Sequence, residues 1–295
     1  MSIEALDRAP GPEEGLDLGR ADNADARRGR RVRAAMVAAV FLYVAALLLA
    51  PLGGIVWSAF KSGLGGVART FTEHDALHAL YLTALIMAVT VVVTSVFGVV
   101  VALVLARDRF PGRRLLSAVV DLPLAISPVI VGLMAVLLFG RGGWFESFFA
   151  ARGVHVIFAL PSMVLVTIFI SIPFVIREVV PVLEELGTEE EQAAWTLGAS
   201  RWQAFLRVTL PNIRWGLLYG IALSAARAIG EVGAVIIVSG AIQGQTETAT
   251  LYILRTFDQN QSQQGYVVAL ALALFSILLL LGIELVKRRQ IREVM

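Results

Sequence analysis

Residues 184–211 read E-E-L-G-T-E-E-E-Q-A-A-W-T-L-G-A-S-R-W-Q-A-F-L-R-V-T-L-P, a polar segment between two long apolar runs. Most connections between helices need only a handful of residues. A segment of this length therefore predicts structure of its own. Thr188 is placed to cap a helix, and the three glutamates at 189–191 then lie in its first turn, facing the positive end of the helix dipole.

The second half of this segment predicts another short helix. Gly198 and Ser200 interrupt the first helical pattern, and a new pattern begins near Arg201. Leu210–Pro211 is predicted to end it, because proline lacks the N–H that a helix interior needs. The whole segment, taken as residues 184–214, is expected to form a compact pair of helices outside the membrane.

Small side chains mark the surface of the first short helix. Ala193, Ala194 and Gly198 let another surface approach closely. An alternative is an amphipathic helix that lies on the membrane surface, where Trp195 and Trp202 would suit the interface.

The rest of the chain is dominated by apolar segments long enough to cross a bilayer. Hydrophobic residues make up 57% of the 295 residues, and mean hydropathy is +0.76. The sequence predicts an all-α membrane protein with six transmembrane helices. Their expected bounds are Ala34–Phe60, Tyr81–Ala106, Leu115–Phe139, Val156–Val182, Trp215–Ser239 and Gly265–Val286.

Prolines predict irregularities within two of these spans. Pro123 and Pro128 lie in the third span, and Pro161 and Pro173 lie in the fourth. Kinks or partly unwound turns are tolerated in membrane helices where neighbours satisfy the freed backbone groups.

The first 33 residues differ from everything that follows. They are rich in Asp, Glu, Gly and Arg and end in the basic run Arg27–Arg33. This composition predicts a disordered cytoplasmic tail. The apolar stretch after it is too long for a signal peptide, so it is expected to be a retained first span. The membrane domain is accordingly expected to cover residues 34–290.

Positive charge is distributed unevenly between the two sides. If both termini are cytoplasmic, the inner segments hold 18 of the 25 Lys and Arg residues, whereas the outer loops hold five. The positive-inside rule therefore predicts an N-in, C-in orientation and places residues 184–214 in the cytoplasm.

Composition also argues against several classes of function. The chain has no cysteine, and its net charge of +2 does not suggest nucleic-acid binding. His74, His78 and His155 fall in outer loops without an accompanying carboxylate cluster. They are expected to be solvated, and no metal site is predicted.

Several charged residues lie within the predicted spans. Arg227 and Glu231 are four residues apart in the fifth span, on one helix face. Arg177 and Glu178 lie late in the fourth, near the inner boundary, and are read as extending toward the membrane surface. Asp121 opens the third and is a candidate cap for a broken helix. Charges in hydrocarbon normally face the protein interior and have partners. Arg227 and Glu231 are read either as a structural pair or as a gate or pathway element.

The polar segment resembles the "EAA" motif of ABC importer permeases. In that motif E-A-A is followed by three residues, Gly, nine residues, Ile, one residue and Leu-Pro. The matching residues here are Gln192, Ala193, Ala194, Gly198, Val208, Leu210 and Pro211. Gln192 replaces the usual Glu, and Val208 replaces Ile. The resemblance implies that this segment docks on the ATPase subunit.

A wider resemblance covers most of the chain after the tail. D-L-P-L-A-I-S-P-V-I-V-G-L at 121–133, L-G-A-S-R-W-Q at 197–203 and R-A-I-G-E-V-G-A-V at 227–235 resemble W-type permease subunits of sulfate/thiosulfate importers. The likeness is weaker over residues 243–264, an outer loop. It implies the type I ABC importer permease fold, also called MetI-like.

The resemblance also implies function and partners. The chain is expected to be a multi-pass permease subunit of the bacterial inner membrane that moves sulfate or thiosulfate inward and is not itself an enzyme. Its expected partners are an ABC ATPase dimer, a homologous T-type permease subunit, an extracytoplasmic sulfate-binding protein and membrane lipid. The sequence has no G-x-x-x-x-G-K-[ST] loop, so ATP and Mg are expected on the ATPase and no cofactor is expected here.

Electrostatics constrains how such a chain moves its substrate. A monovalent ion in low dielectric costs about 20 kcal/mol, and a dianion costs about four times as much. A wet cavity that opens alternately to each side is therefore expected. We hypothesise that specificity lies in the binding protein and that this chain has no high-affinity sulfate site.

Other functions fit parts of the pattern. An ABC permease for molybdate, tungstate or another oxyanion shares the segment around Arg227. A secondary transporter or channel that needs no ATPase would show inverted repeats, and no convincing repeat is visible. A membrane enzyme would need a catalytic grouping next to the spans, and none is evident.

Overall fold

The computed structural model describes the backbone of residues 12–294 and the side chains of residues 33–285. Every regular element among these residues is helical. The helices are α1 Pro12–Ala59, α2 Gly63–Thr72, α3 His74–Arg107, α4 Arg113–Ala125, α5 Pro128–Phe139, α6 Glu146–Ala150, α7 Leu160–Leu186, α8 Glu189–Thr196, α9 Arg201–Ala204, a π-helical turn Phe205–Thr209, α10 Leu210–Ile229, α11 Gly233–Ser239, α12 Ala249–Asp258 and α13 Ser262–Val294.

The predicted six spans correspond to four straight helices and two bent pairs. Arg33–Ala59, His74–Arg107, Leu160–Leu186 and Ser262–Leu285 are each long and apolar enough to cross a membrane. The pairs α4/α5 and Arg201–Ile229 with α11 pass the same test when each pair is taken as one span.

The chain divides into one unit that ends at Trp57 and one that begins at Ser58. Sequence predicts a disordered tail over residues 1–33. Residues 1–11 lie outside the described residues, and the backbone from Pro12 onward belongs to α1. The disorder of the tail and the 34–290 bounds of the membrane domain stay predictions.

The third span breaks where its prolines predict. α4 and α5 meet at an angle of 108°. Ile126 and Ser127, with ψ values of 136° and 134°, are extended, since the residue before a proline is driven out of the helical region. Pro128 then starts α5, where its missing N–H costs nothing.

The fourth span is one continuous helix, so its prolines leave no unwound turn, and a kink at them stays a prediction. Pro161 lies in the first turn of α7, where a proline has no helical N–H bond to lose. Pro173 lies inside α7, and the helix continues through it to Leu186.

The fifth span begins earlier than expected and is broken. Helical structure runs from Arg201 to Ile229, so Leu210–Pro211 does not end the second short helix. The π-helical turn before Pro211 widens the helix, and the Leu210 N–H bonds to the Phe205 carbonyl, which relieves the loss of regular bonding around the proline. A break at Gly230–Val232 then bends the span by 54°.

The core of the bundle forms where α7 crosses α3 and α10. A Cβ atom on Gly98 of α3 would lie 2.7 Å from Val175 Cγ1, and one on Gly220 of α10 would lie 2.8 Å from Val175 Cα. A Cβ atom on Gly216 would meet the Glu178 carbonyl oxygen at 2.8 Å. Glycines therefore let three helix backbones approach closely, as small residues do in membrane helix packing.

The two short half-spans α5 and α11 pack against each other. A Cβ atom on Gly132 of α5 would lie 2.8 Å from the Ala234 carbonyl oxygen and 2.9 Å from Ile237 Cβ. At the breaks themselves, a Cβ atom on Gly233 would lie 3.0 Å from Pro128 Cβ. The two breaks are thus adjacent, and the half-spans beyond them form a pair.

A polar network fixes α12 to the start of α3 on the predicted outer side. The buried Tyr252 hydroxyl donates to Glu73 Oε2 at 2.9 Å, and the Arg255 guanidinium donates to both carboxylate oxygens of Glu247 at 2.6 and 3.1 Å. Burial, and then the bond to Glu73, raises the pKa of Tyr252. The bonds to Glu247 raise the pKa of Arg255. Tyr252 therefore stays a donor and Arg255 stays charged at physiological pH.

Gly220→Val tests the helix crossing. The new side chain would meet the α7 backbone at Val175, which has no flexible end to move away. We expect a loss of about 2–3 kcal/mol from overpacking, seen as a lower apparent melting temperature of the purified protein in detergent. Gly282→Val is the control, because a Cβ atom at Gly282 meets nothing within 4 Å. Equal melting temperatures for the two variants would contradict the close approach.

Candidate coupling segment and intramembrane charges

The first short helix of the polar segment is α8, which begins one residue after Thr188. The Thr188 hydroxyl does not bond to a backbone N–H of the first turn, so the expected side-chain cap is absent. Instead, Gln192 Nε2 donates to this hydroxyl at 3.0 Å, and the Gln192 N–H donates to the Thr188 carbonyl at 3.0 Å. Gln192 therefore turns its side chain back along its own helix.

The end of α8 depends on Gly198. The Ala199 N–H donates to the Ala194 carbonyl and the Gly198 N–H donates to the Trp195 carbonyl, each at 3.0 Å. These two bonds form a Schellman motif, which requires a left-handed residue after the helix. Gly198 has φ +87°, a conformation that glycine adopts without steric cost.

A capping box starts the second short helix. The Gln203 N–H donates to the Ser200 hydroxyl at 3.2 Å, and the Ser200 N–H donates to Gln203 Oε1 at 2.9 Å. This confirms a helix start at Arg201. The Ser-x-x-Gln pattern at 200–203, which is typical of a helix start, is visible in the sequence.

Two glutamates anchor α8 to the rest of the bundle, and sequence reasoning missed this role. Arg107 Nη2 donates to Glu191 Oε1 at 3.0 Å, and the Thr209 hydroxyl donates to the same oxygen at 2.8 Å. The Asn212 amide donates to Glu190 Oε2. α8 is therefore tied to the end of α3 and to the beginning of the fifth span.

Arg107 is the centre of this anchor. Its Nη1 also donates to the Leu183 carbonyl at 3.0 Å, near the end of α7. The Arg107 and Glu191 side chains are only 17% and 13% exposed. Their ion pair is thus better shielded from water and salt than a surface pair.

The predicted coupling residues divide into two groups. Gln192, Ala193, Ala194 and Gly198 lie on α8 or directly after it. The other members, called the base residues here, lie in the π-helical turn and the first turn of α10: they are Val208, Leu210 and Pro211.

The base residues play a structural part. Val208 is half-buried in the π-helical turn, and Leu210 packs against a core cluster of α3, α7 and α10. Pro211 is exposed in the first turn of α10. They belong to the base of the fifth span, whereas the exposed surface lies on α8 and α9.

That free surface is apolar at the end of α8 and in α9. Leu197 is 89% exposed, Trp202 is 67% exposed and Trp195 is 44% exposed. The Trp202 ring stacks on Phe205 with centroids 5.5 Å apart, which holds it in one orientation. This patch, formed by Trp195, Leu197 and Trp202, is called the α8–α9 patch below.

Arg227 and Glu231 form an ion pair at the break of the fifth span. Arg227 Nη2 lies 2.6 Å from Glu231 Oε2, and the Glu231 side chain is only 2% exposed. The other oxygen, Oε1, accepts the Ala234 N–H at 2.8 Å in the first turn of α11. Glu231 therefore joins two halves of a broken helix. Whether the pair also acts as a gate stays a prediction.

Asp121 and Arg177 also form a pair, which corrects two expectations. Asp121 lies inside α4 and does not cap the broken helix, because that break follows at Ile126. Its Oδ1 accepts from Arg177 Nε at 2.9 Å, so Arg177 does more than extend toward the membrane surface. Both side chains are partly exposed, at 39% and 57%.

Unbroken and bent apolar spans with an anchored helical segment at one end are the features of a multi-pass membrane protein. Residues 96–292 match the family model described as binding-protein-dependent transport system inner membrane component. The chain belongs to this family.

Relatives within the family are close. The chain is 45% identical over 259 residues to the sulfate transport system permease protein CysW of Synechocystis sp., covering 88% of this chain and 94% of that protein. It is 37% identical to the sulfate transport system permease protein CysT of Escherichia coli K12, covering 86% of this chain and 91% of the other.

The fold also matches a solved structure. A chain from a bacterial alginate ABC transporter, crystallised with an alginate pentasaccharide-bound periplasmic protein, superposes with a TM-score of 0.73. The match covers 90% of this chain and 96% of that chain at 20% identity. The type I ABC importer permease fold is thereby confirmed.

Glu191→Ala tests the anchor of α8. The change leaves Arg107 without its carboxylate and Thr209 without its acceptor, so α8 should open more often. We expect amide hydrogen exchange over residues 189–197 to be about tenfold faster, corresponding to about 1.4 kcal/mol.

Glu189→Ala is the matched control for this measurement. Glu189 lies in the same first turn and shares the dipole interaction, but it is exposed and bonds to no other element within the described part of the chain. Equal acceleration in both variants would reduce the role of Glu191 to the dipole interaction that the sequence predicts.

Glu231→Gln and the double variant Arg227→Gln/Glu231→Gln test whether the ion pair stabilises the fold. The single change leaves Arg227 without a counter-charge and should lower the apparent melting temperature, at a cost of about 2–3 kcal/mol. The double variant removes both charges and should recover most of that loss. A double variant as unstable as the single one would show that the pair does not account for the stability.

Proposed function

We propose that this chain is the permease subunit of an ABC importer that moves sulfate or thiosulfate across the bacterial inner membrane into the cytoplasm. The observation that carries the proposal is the 45% identity to a sulfate permease over almost the whole length of both chains. The energy would come from ATP and Mg bound by a separate ATPase, and this chain would carry no cofactor and no catalytic residue.

The α8–α9 patch is the proposed contact with the ATPase. It presents exposed apolar side chains on the side that charge asymmetry predicts as cytoplasmic. Large exposed apolar side chains on a rigid base are typical of protein interfaces. The alternative, a helix lying on the membrane, is less well supported because the carboxylates of α8 tie it to Arg107, Thr209 and Asn212.

The anchor suggests how movement of the ATPase would reach the spans. Glu191 bonds to the last residue of α3 and to the π-helical turn that leads into α10. A displacement of α8 therefore pulls on two spans at their ends. Closing and opening of an ATPase dimer would then shift the bundle between inward-open and outward-open states.

Two further partners follow from the relatives. Because the chain also resembles a CysT permease, we propose that it pairs with a homologous T-type subunit. An extracytoplasmic sulfate-binding protein would dock on the opposite side and supply the specificity. The bundle would then need only a wet passage, because a buried dianion is prohibitively expensive.

Leu197→Glu tests the ATPase contact. The side chain is 89% exposed, so a charge there should leave the fold of the subunit intact. Placed in an apolar interface, the charge should reduce ATPase retention during purification of the complex by about tenfold or more. Sulfate uptake into vesicles that hold the complex should fall with it.

Leu64→Glu is the control for this experiment. Leu64 is 76% exposed but lies in α2, on the predicted outer side. If Leu197→Glu retains both the ATPase and uptake at the level of the control, the α8–α9 patch is not the contact. If the intact complex binds ATPase but takes up no sulfate or thiosulfate, the substrate assignment is wrong.

A further inference from the structure

A charged cavity of about 690 Å³ lies between α4 and α7, close to the predicted inner side. Its volume is typical of ligand sites. Its polar lining consists of three arginines, two carboxylates and a serine, which are Arg113, Arg114, Arg177, Asp121, Glu184 and Ser117.

The cavity extends well into the bundle. Asp121 is eight residues beyond the start of α4, which corresponds to about 12 Å along the helix. Arg177 lies at a similar depth, nine residues before the end of α7. Arg113 and Glu184 form an ion pair of 2.7 Å in the lining, and Arg177 and Asp121 form a second pair about two helical turns farther along α4 and α7.

These ion pairs do not use all the N–H donors of the cavity's arginines. Arg177 donates through Nε to Asp121, and its two terminal nitrogens have no hydrogen-bond partner among the side chains of residues 33–285 that the structure describes. Arg114 is exposed and makes no recorded bond among the described residues. The cavity also has three guanidinium groups against two carboxylates, so one positive charge is uncompensated.

A guanidinium binds tetrahedral oxyanions well, because its parallel N–H groups match two oxygens at once. We propose that the α4–α7 cavity is a low-affinity oxyanion site on the inner side, in which Arg114 and the terminal nitrogens of Arg177 bind the anion. The nearby Asp121 and Glu184 weaken the binding, which allows a transported anion to leave.

Two sources could supply this oxyanion. One is the transported sulfate on its way to the cytoplasm, and this version rests on the proposed function. The other is the phosphate of an anionic lipid headgroup, since basic pockets near the inner membrane surface bind such groups. The cavity chemistry is the same for both.

The absence of cysteine from this chain offers a direct test. Ser117→Cys places one thiol in the cavity, as a conservative change at an exposed position. The assembled complex in phosphatidylcholine vesicles is treated with two thiosulfonate reagents of similar size, one anionic and one cationic. Modification is read on this chain after the subunits are separated.

We expect the anionic reagent to react about threefold faster or more, corrected for the rates of the two reagents with a free thiol. Adding Arg114→Gln should remove this preference. Adding Arg109→Gln should preserve it, because Arg109 is an exposed arginine of the same inner loop but does not line the cavity.

Two additions to the vesicle experiment distinguish the two sources of the oxyanion. If sulfate is the ligand, tens of millimolar sodium sulfate slows modification and an equal ionic strength of sodium chloride does not. If a headgroup is the ligand, phosphatidylglycerol in the vesicles slows modification instead.

Equal corrected rates for the two reagents would overturn the site. Equal effects of Arg109→Gln and Arg114→Gln would also overturn it, because the preference would then reflect general surface charge. These rates do not depend on uptake. A complex that prefers the anionic reagent but transports no sulfate would therefore disprove the function and leave the site standing.

Discussion

The close crossing of α7 with α3 and α10 is the constraint on which the rest of the bundle depends. In hydrocarbon, burial of apolar side chains gives helices little reason to associate, and association depends on close packing. At Val175 that packing is achieved because Gly98 and Gly220 present no side chain to it. A hydrogen-bonding contact between the hydroxyl oxygens of Thr94 and Ser224, 3.0 Å apart, joins α3 and α10 within the same bundle. With three helices fixed to each other, the remaining elements can be irregular.

The two broken spans use this freedom. A break in a membrane helix frees backbone groups that must be satisfied inside the protein. At Gly230–Val232 the Glu231 carboxylate accepts the Ala234 N–H, and Arg227 balances its charge. The break between α4 and α5 lies beside this one, because Pro128 at the start of α5 approaches Gly233. The half-spans beyond the breaks thus form a pair, which also packs against α3 and α7 in one apolar cluster.

The sequence determines much of this architecture through local patterns. Apolar length predicts the six spans, the proline at 128 predicts the break before it, and Gly198 predicts the end of α8.

Contacts between distant segments are different, because no local pattern encodes them. Arg107 and Glu191 are 84 residues apart, and Asp121 and Arg177 are 56 residues apart. The sequence also did not predict that the helix continues through Pro211, since a π-helical turn depends on the packing of Leu210 and its neighbours. The segment that carries the candidate coupling surface was therefore predicted from the sequence, whereas the exposed side chains of that surface and the residues that hold α8 in place were not.

The position of these anchors decides what α8 can transmit. Its first turn is held by Glu190 and Glu191, whereas its last residues end in a free apolar surface at Leu197. A partner that moves the free end therefore acts on a helix fixed at the other end. Because Arg107 also donates to the Leu183 carbonyl, the strain would be shared between the inner ends of α3, α7 and the fifth span. These are the helices whose glycine-mediated contacts at Val175 resist separation. Movement at α8 would thus tilt the core as a unit, and the joints at Ser127 and Gly230 are the places where the bundle can bend.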